Sequence, residues 1–169
     1  MAIKDGSINA PNPVMRNQVA DYLMVGDSFE LMGVGFETLD ENPNAQSMQK
    51  TYVNQATATN IVKSYQTEFP FSADMISSEK AIRALYKVGR DHLTGTDAMF
   101  EYVRVDLFDP EDGQTNTFQA RRFIVSAEVS GNTGNGGDPL ALAGTLKAVG
   151  DPELGTFVTT TKKFTAASA

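Results

Sequence analysis

From Ala98 to Val129 the chain carries two long runs that alternate with a period of two on either side of Asp109-Pro110-Glu111-Asp112-Gly113. In the first run Met99, Val103, Val105 and Leu107 fall on one face and Phe100, Tyr102 and Phe108 on the other. In the second, Phe123, Val125, Ala127 and Val129 alternate with Arg122, Ile124, Ser126 and Glu128. A period of two belongs to a strand, and Asp-Pro and Asp-Gly are turn chemistry, so the pattern predicts an antiparallel hairpin. Apolar groups on both faces mean that one face covers a core while the other meets a further surface. A neighbouring subunit is the simplest candidate for that surface.

The remaining runs point to the same class. Tyr22 to Val25 and Phe29 to Phe36, split by Gly26-Asp27, read as two strands around a tight turn, with Gly33 and Gly35 marking a bulge or a close backbone approach. Residues 40–56 are polar without a clear period, a long loop of the kind that is functional or mobile. Thr57 to Phe71 reads as one half-buried strand, with Ile61, Tyr65, Phe69 and Phe71 sharing a face. A helical period occurs once, over Ser78 to Val88, where Ala81, Ile82, Leu85 and Val88 form a single apolar stripe. Ser77 or Ser78 is its expected N-cap, and Gly89 the left-handed residue past its end. Gly131 to Asp138 reads as a flexible loop. About seven strands and one helix predict a mainly β fold, an antiparallel β-sandwich or barrel with one flanking α-helix. The expected organisation is an N-terminal arm over 1–20, one β domain over 21–165 and a C-terminal tail over 166–169.

The residue inventory argues against an enzyme. There is no cysteine in the 169 residues, which excludes disulfides, thiolate metal sites and cysteine nucleophiles. The single histidine, His92, has no partner at metal-ligand or general-base spacing, and its place after the helix is accounted for by the helix dipole. Asp106, Asp109, Glu111 and Asp112 gather at a hairpin tip, as a carboxylate pair or a calcium site requires, but also as a solvated turn does. No phosphate-cradling or nucleophile-elbow motif occurs, so no catalytic, cofactor-binding or metal residue is assigned. Arg121 and Arg122, between Phe118 and Phe123, point to opposite faces of a strand and do not form one basic patch. A net charge of −7 disfavours a nonspecific grip on phosphate backbones. No run approaches the ~18 apolar residues of a membrane span, and no leader is expected.

Leu140 to Val149 and Thr156 to Phe164 flank Gly150-Asp151-Pro152-Glu153-Leu154-Gly155 and predict a closing hairpin. This end of the chain resembles the corresponding end of the major tail tube proteins of long-tailed bacteriophages, with an apolar strand, a Gly-Asp-Pro turn, a Gly-Thr-Phe step and a final Lys-Phe strand. Upstream, Gly33-Val34-Gly35-Phe36-Glu37, the polar loop, the strand ending Tyr65-Gln66-Thr67-Glu68-Phe69-Pro70-Phe71, the helix and the acidic hairpin keep the same order. The likeness spans about Asp21 to Phe164.

The resemblance implies a virion tail protein, assembled in the host cytoplasm, whose hexameric rings stack into a tube for DNA ejection. Its implied partners are copies of itself and other tail proteins: tape measure, terminator and distal tail. DNA would pass without specific binding, no membrane would be involved, and no cofactor is implied. Ring-to-ring contacts would fall on the loop bearing Asn42, Gln46, Met48, Lys50 and Tyr52, together with the arm and the tail. Six copies of a −7 chain bring about −42 charges to a ring, which keeps DNA from adhering to a channel wall. Glu30 and Glu37 are the expected channel-lining acids. A tail terminator or baseplate ring protein is the nearest alternative. From a different class, the alternative is a monomeric β-sandwich binding carbohydrate or calcium through the Asp109 and Gly131 loops.

Overall fold

The computed structural model describes residues 11–168. Half of the expected N-terminal arm, residues 1–10, lies outside them. After a short 3-10 turn at Arg16–Gln18 the chain forms β1 (Val19–Val25), β2 (Ser28–Leu31), β3 (Phe36–Leu39), β4 (Ala45–Lys50), β5 (Thr59–Tyr65) and β6 (Glu68–Asp74). Helix α1 (Lys80–Arg90) follows, then β7 (Met99–Pro110), β8 (Thr117–Thr133), β9 (Ala141–Ala148), β10 (Glu153–Val158) and β11 (Lys163–Ala166). The main sheet runs β2-β1-β7-β8-β9-β6-β3, with β10 added to β8 and β11 to β10, while β4 and β5 form a two-stranded sheet of their own. The expected mainly β class holds: a curled antiparallel half-barrel with one helix.

The β7–β8 hairpin is the one the alternation predicts, in register from Met99 opposite Ser126 to Asp106 opposite Gln119. Three other readings need correction. The run from Phe29 to Phe36 is two strands, because β2 pairs with β1 whereas β3 crosses to β6. Thr57 to Phe71 is likewise two strands in different sheets: Phe69 and Phe71 are buried on β6, whereas Ile61 and Tyr65 are exposed on β5. Nor do the two C-terminal runs pair with each other. They lie end to end along one edge of β8, β9 opposite Val125 to Thr133 and β10 opposite Thr117 to Arg122. Gly150-Asp151-Pro152 is the jog between them, with Gly150 at a positive φ of 84°. The actual terminal hairpin is β10–β11. Turn residues report that a chain changes course, not by how much, and Gly-Asp-Pro serves an offset as well as a reversal. The expected Gly131 loop is shorter too, since Gly131, Asn132 and Thr133 still pair with β9.

One face of the central strands is covered within the chain, and so is much of the other. On one side Leu23, Tyr102, Phe123, Val125, Leu142, Leu146, Phe69 and Leu39 pack with the apolar stripe of α1. On the other, Tyr22, Phe29, Val103, Val105, Ala120 and Phe157 form a second, smaller core. The curl of the sheet builds it: Phe157 on β10 stands edge-on to Phe29 on β2 at 5.7 Å and lies 4.5 Å from Tyr22. Lys162, in the β10–β11 turn, reaches Glu30 on β2 at 3.7 Å. Over the half that carries Val103, Val105 and Ala120, the outer face expected to meet another subunit is met by the sheet's own end, while Met99 and Ile124 on the same face stay exposed.

Helix α1 buries Ala81, Ile82, Leu85 and Val88, the stripe expected from the spacing, but its ends differ from expectation. Glu79, not a serine, occupies the N-cap, without a side-chain capping bond. At the other end His92 takes the left-handed conformation, φ 51°, and the Leu93 amide donates to the Val88 carbonyl at 3.0 Å. That closes a Schellman-type end. Gly89 stays inside the helix, where a Cβ would come within 2.9 Å of Val129 Cγ1, so its smallness seats the helix on β8.

Gly144, in mid-β9, is packed more tightly still: a Cβ there would lie 2.2 Å from the Glu128 carbonyl oxygen on β8. Gly144→Ala should therefore lower the stability by about 2 kcal/mol, as overpacking does. Urea unfolding checks this, with an unchanged midpoint as the contrary result.

Candidate assembly surfaces

Five sequence-selected residues fall on or beside the β4–β5 ribbon. Asn42 stands at its foot, where its amide donates to the Glu68 carbonyl at 2.9 Å and its carbonyl accepts from the Glu68 amide at 3.0 Å. Gln46, Met48 and Lys50 lie along β4, opposite Ser64, Ile61 and Thr59. Tyr52 is exposed in the connecting loop. Ribbon strands pair only with each other, every residue of β5 is exposed, and Tyr52, Val53, Ile61, Val62 and Tyr65 are apolar groups left in water. A lone two-stranded hairpin is marginal in water. The long polar loop expected here is thus a built element with no cover of its own.

The two sequence-selected acids have different surroundings. Glu30, on β2, is held by Lys80 at 3.2 Å and by Lys162 at 3.7 Å. A hydrogen bond from Ser28, with these lysines, keeps its carboxyl below the usual value. Glu37, on β3, is exposed and makes no ion pair among the described residues. It lines a cleft of about 560 Å³ between Ala20, Asp21, Leu31 and Met32 on one side and Phe36 to Asp40 on the other.

A buried polar network that sequence reasoning missed ties the two sides of that cleft together. Asp21 on β1 and Arg104 on β7 are direct cross-strand partners, with Arg104 Nη1 3.2 Å from Asp21 Oδ1. Tyr102 donates its hydroxyl proton to the same carboxylate, and Arg16 Nη2 donates to Asp21 Oδ2 at 2.6 Å and to the Leu39 carbonyl at 2.9 Å. Just past β3, Glu41 accepts from both terminal nitrogens of Arg121 on β8, at 2.5 and 2.9 Å, and lies 3.4 Å from Arg104 Nε. A signal was present: Asp21 and Arg104 sit in phase with core-facing Leu23 and Tyr102, opposite charges in apolar stripes of neighbouring strands.

This network fastens strands and offers no reactive group. Burial, and then the Asp21 charge, push the Tyr102 hydroxyl well above its ordinary value, so it stays a proton donor. No buried side-chain nitrogen or oxygen among the described residues lacks a partner. Arg121 and Arg122 do point apart: Arg121 meets Glu41 and the Phe123 ring, while Arg122 meets Glu153 and the Phe164 ring at 5.1 Å. Of the tip acids, Glu111 accepts from Gln119, and Asp109 and Asp112 are exposed. Among the described residues no group of three or more His, Asp or Glu is placed to hold a metal ion.

Glu41 makes the network sensitive to acid. Burial alone would raise its carboxyl, but the hydrogen bonds and charge of Arg121, with Arg104 behind, outweigh that and hold it below the ordinary value. A carboxyl lowered on folding stabilises above its unfolded pKa, and the contribution fades as pH falls through the lower folded value. Glu41→Gln should cost about 2 kcal/mol near neutrality and less at about pH 3, flattening the acid limb of stability. Urea midpoints across pH measure it; an equal loss at both ends contradicts the ion-pair account.

No known protein family and no curated protein matches this sequence. Solved structures do match the fold. A chain of the "anti-feeding prophage (AFP) baseplate, 6-fold symmetrised" aligns with a TM-score of 0.52 at 7% identity, covering 85% of this chain and 96% of that one. A chain of the "tail of empty GTA particle", refined with C6 symmetry, gives 0.56 at 12% identity, covering 91% and 100%. A chain of the anti-feeding prophage tube-terminating cap gives 0.56 at 11%, covering 94% and 100%. The chain has the fold of components of phage-like tail particles.

Proposed function

We propose that this chain is a structural subunit of a tail-like particle, closing with copies of itself into hexameric rings that stack into a tube for DNA. The observation that carries the reading is the β4–β5 ribbon, a two-stranded sheet with apolar groups in water and no other element laid over it. Such a ribbon gains stability when a second surface covers it. Similar chains come from particles described with six-fold symmetry, which supports the ring. Its place is then the virion tail, beside tape measure, terminator and distal tail proteins, after assembly in the host cytoplasm. A second reading is favoured by the baseplate and cap chains sharing the fold: a ring that ends or founds a tube. The purified protein distinguishes the two by extending into tubes or stopping at rings in negative stain, while dispersed monomers at every concentration refute both.

The ribbon supplies the first test. Ile61→Asp with Tyr65→Ser should leave the melting temperature within about 2 °C, because both residues are exposed and outside the core, yet abolish rings and tubes. Tubes of normal yield from this variant would remove the ribbon from the contact.

For the channel, Glu37 and Glu30 are the proposed wall acids. Glu37 is the stronger candidate, because the charge of Glu30 is taken up by two lysines. Glu37→Lys should leave tubes intact and slow DNA delivery by about ten-fold, since a cation on the wall attracts phosphate. Delivery by reconstituted particles measures it, and an unaltered rate counts against Glu37.

A further inference from the structure

The charges of this acidic chain are sorted into two unmixed segments at opposite ends of β7 and β8. Between Lys80 and Arg90 the helix has four bases, Lys80, Arg83, Lys87 and Arg90, and no acid. They rim a groove of about 520 Å³ whose floor is Val25, Met75 and Tyr86. Lys80 is paired with Glu30 and Arg90 with Asp91, but Arg83 and Lys87 are exposed and make no ion pair among the described residues. Between Val105 and Ala120 the order is reversed: Asp106, Asp109, Glu111 and Asp112, with no base. None of these acids makes an ion pair among the described residues, and Phe108 stands among them 45% exposed.

Gly89 backs onto Val129, beyond the point where Met99 pairs with Ser126, so the helix covers the Met99 end of the β7–β8 hairpin. The acidic tip closes its other end, about 30 Å along β7 at ~3.3 Å per residue. Of the bases near the tip, Arg104 and Arg121 are engaged with Asp21 and Glu41 and Lys162 with Glu30, while Lys163 on β11 makes no ion pair to a tip acid among the described residues. Among the described residues no tip acid pairs with a base of its own chain's groove, where Lys80 is held by Glu30 and Arg90 by Asp91. Yet the two match in kind, an apolar floor with a basic rim against an exposed phenylalanine among carboxylates.

We infer that the α1 groove receives the Asp106–Asp112 tip of a second copy of this chain, with Phe108 on the groove floor and the tip carboxylates against Arg83 and Lys87. The contact joins unlike surfaces, so a pair of copies keeps one free tip and one free groove, as a closing ring or a growing stack requires. Like charge across such a contact is strongly unfavourable, so it also rejects the reversed orientation. This inference rests on self-assembly, as proposed above, and specifies the surfaces.

The test uses charge reversal in the full chain. Arg83→Glu with Lys87→Glu, or Asp109→Lys with Asp112→Lys, should each raise the concentration for half-assembly by at least about ten-fold in sedimentation velocity, with thermal unfolding unchanged. Mixing the two variants in equal amounts, or combining all four substitutions in one chain, should restore assembly to within about three-fold, because opposite signs face each other again. Normal assembly of either reversed variant, or no recovery in both the mixture and the four-fold variant, overturns the contact. A second measurement does not depend on charge. In this cysteine-free chain, Tyr86→Cys with Phe108→Cys should give disulfide-linked ladders on oxidation, and monomer alone counts against the contact. If the unmodified chain assembles and the reversals are silent, only this contact fails; if the unmodified chain never assembles, the proposed function fails with it.

Discussion

Apolar side chains on both faces of β1, β7 and β8 leave a flat sheet no stable arrangement in water. One face is covered by α1 and the β9-β6-β3 wing, the other by curling β2 and β10 until Phe29 meets Phe157. Strand β8 makes the two curvatures compatible. It is 17 residues long and offers one edge to β7 and the other to β10 and then β9, so two wings of one sheet share it. Gly144 belongs to the same solution, because β9 approaches β8 too closely for any side chain.

Where the two ends of the curl approach without backbone pairing, charge takes over. Asp21, Arg104, Arg16, Glu41 and Arg121 bridge β1, β7, β8 and the end of β3 across the cleft. Buried ion pairs are weak evidence of net stability, since desolvation offsets much of their attraction. Their value here is specificity: opposite signs in register on paired strands admit one alignment, and a one-residue slip would bury unpaired charges.

The sequence made the local elements legible and the long-range pairing illegible. Alternation located β7 and β8, and a four-residue stripe located α1, because both signals are carried by neighbours along the chain. Which strand lies beside which is decided by packing. Hence Leu140 to Phe164 read as a hairpin although its two runs follow one another along β8, and Thr57 to Phe71 read as one strand although Gln66-Thr67 carries it from ribbon to sheet. Ile61 and Phe69 have the same local pattern and opposite fates. For the surfaces, the polar span containing Gln46 and Lys50 stood out by its length, but its strand character was hidden by weak alternation. The network was hidden differently, since Asp21 and Arg104 gain meaning only once β1 and β7 are known to pair.

The ribbon is joined to the body at its feet alone, through the Asn42–Glu68 bridge and the Asn44–Gln66 hydrogen bonds. Its strands are stiff along their length and its attachment is narrow, so its direction is governed by a few backbone torsions near residues 42 to 44 and 66 to 68. Mechanically that is a hinge on a rigid block. A load applied to the ribbon would turn it about its feet, and flexure would not be transmitted to the hydrophobic interior of the subunit.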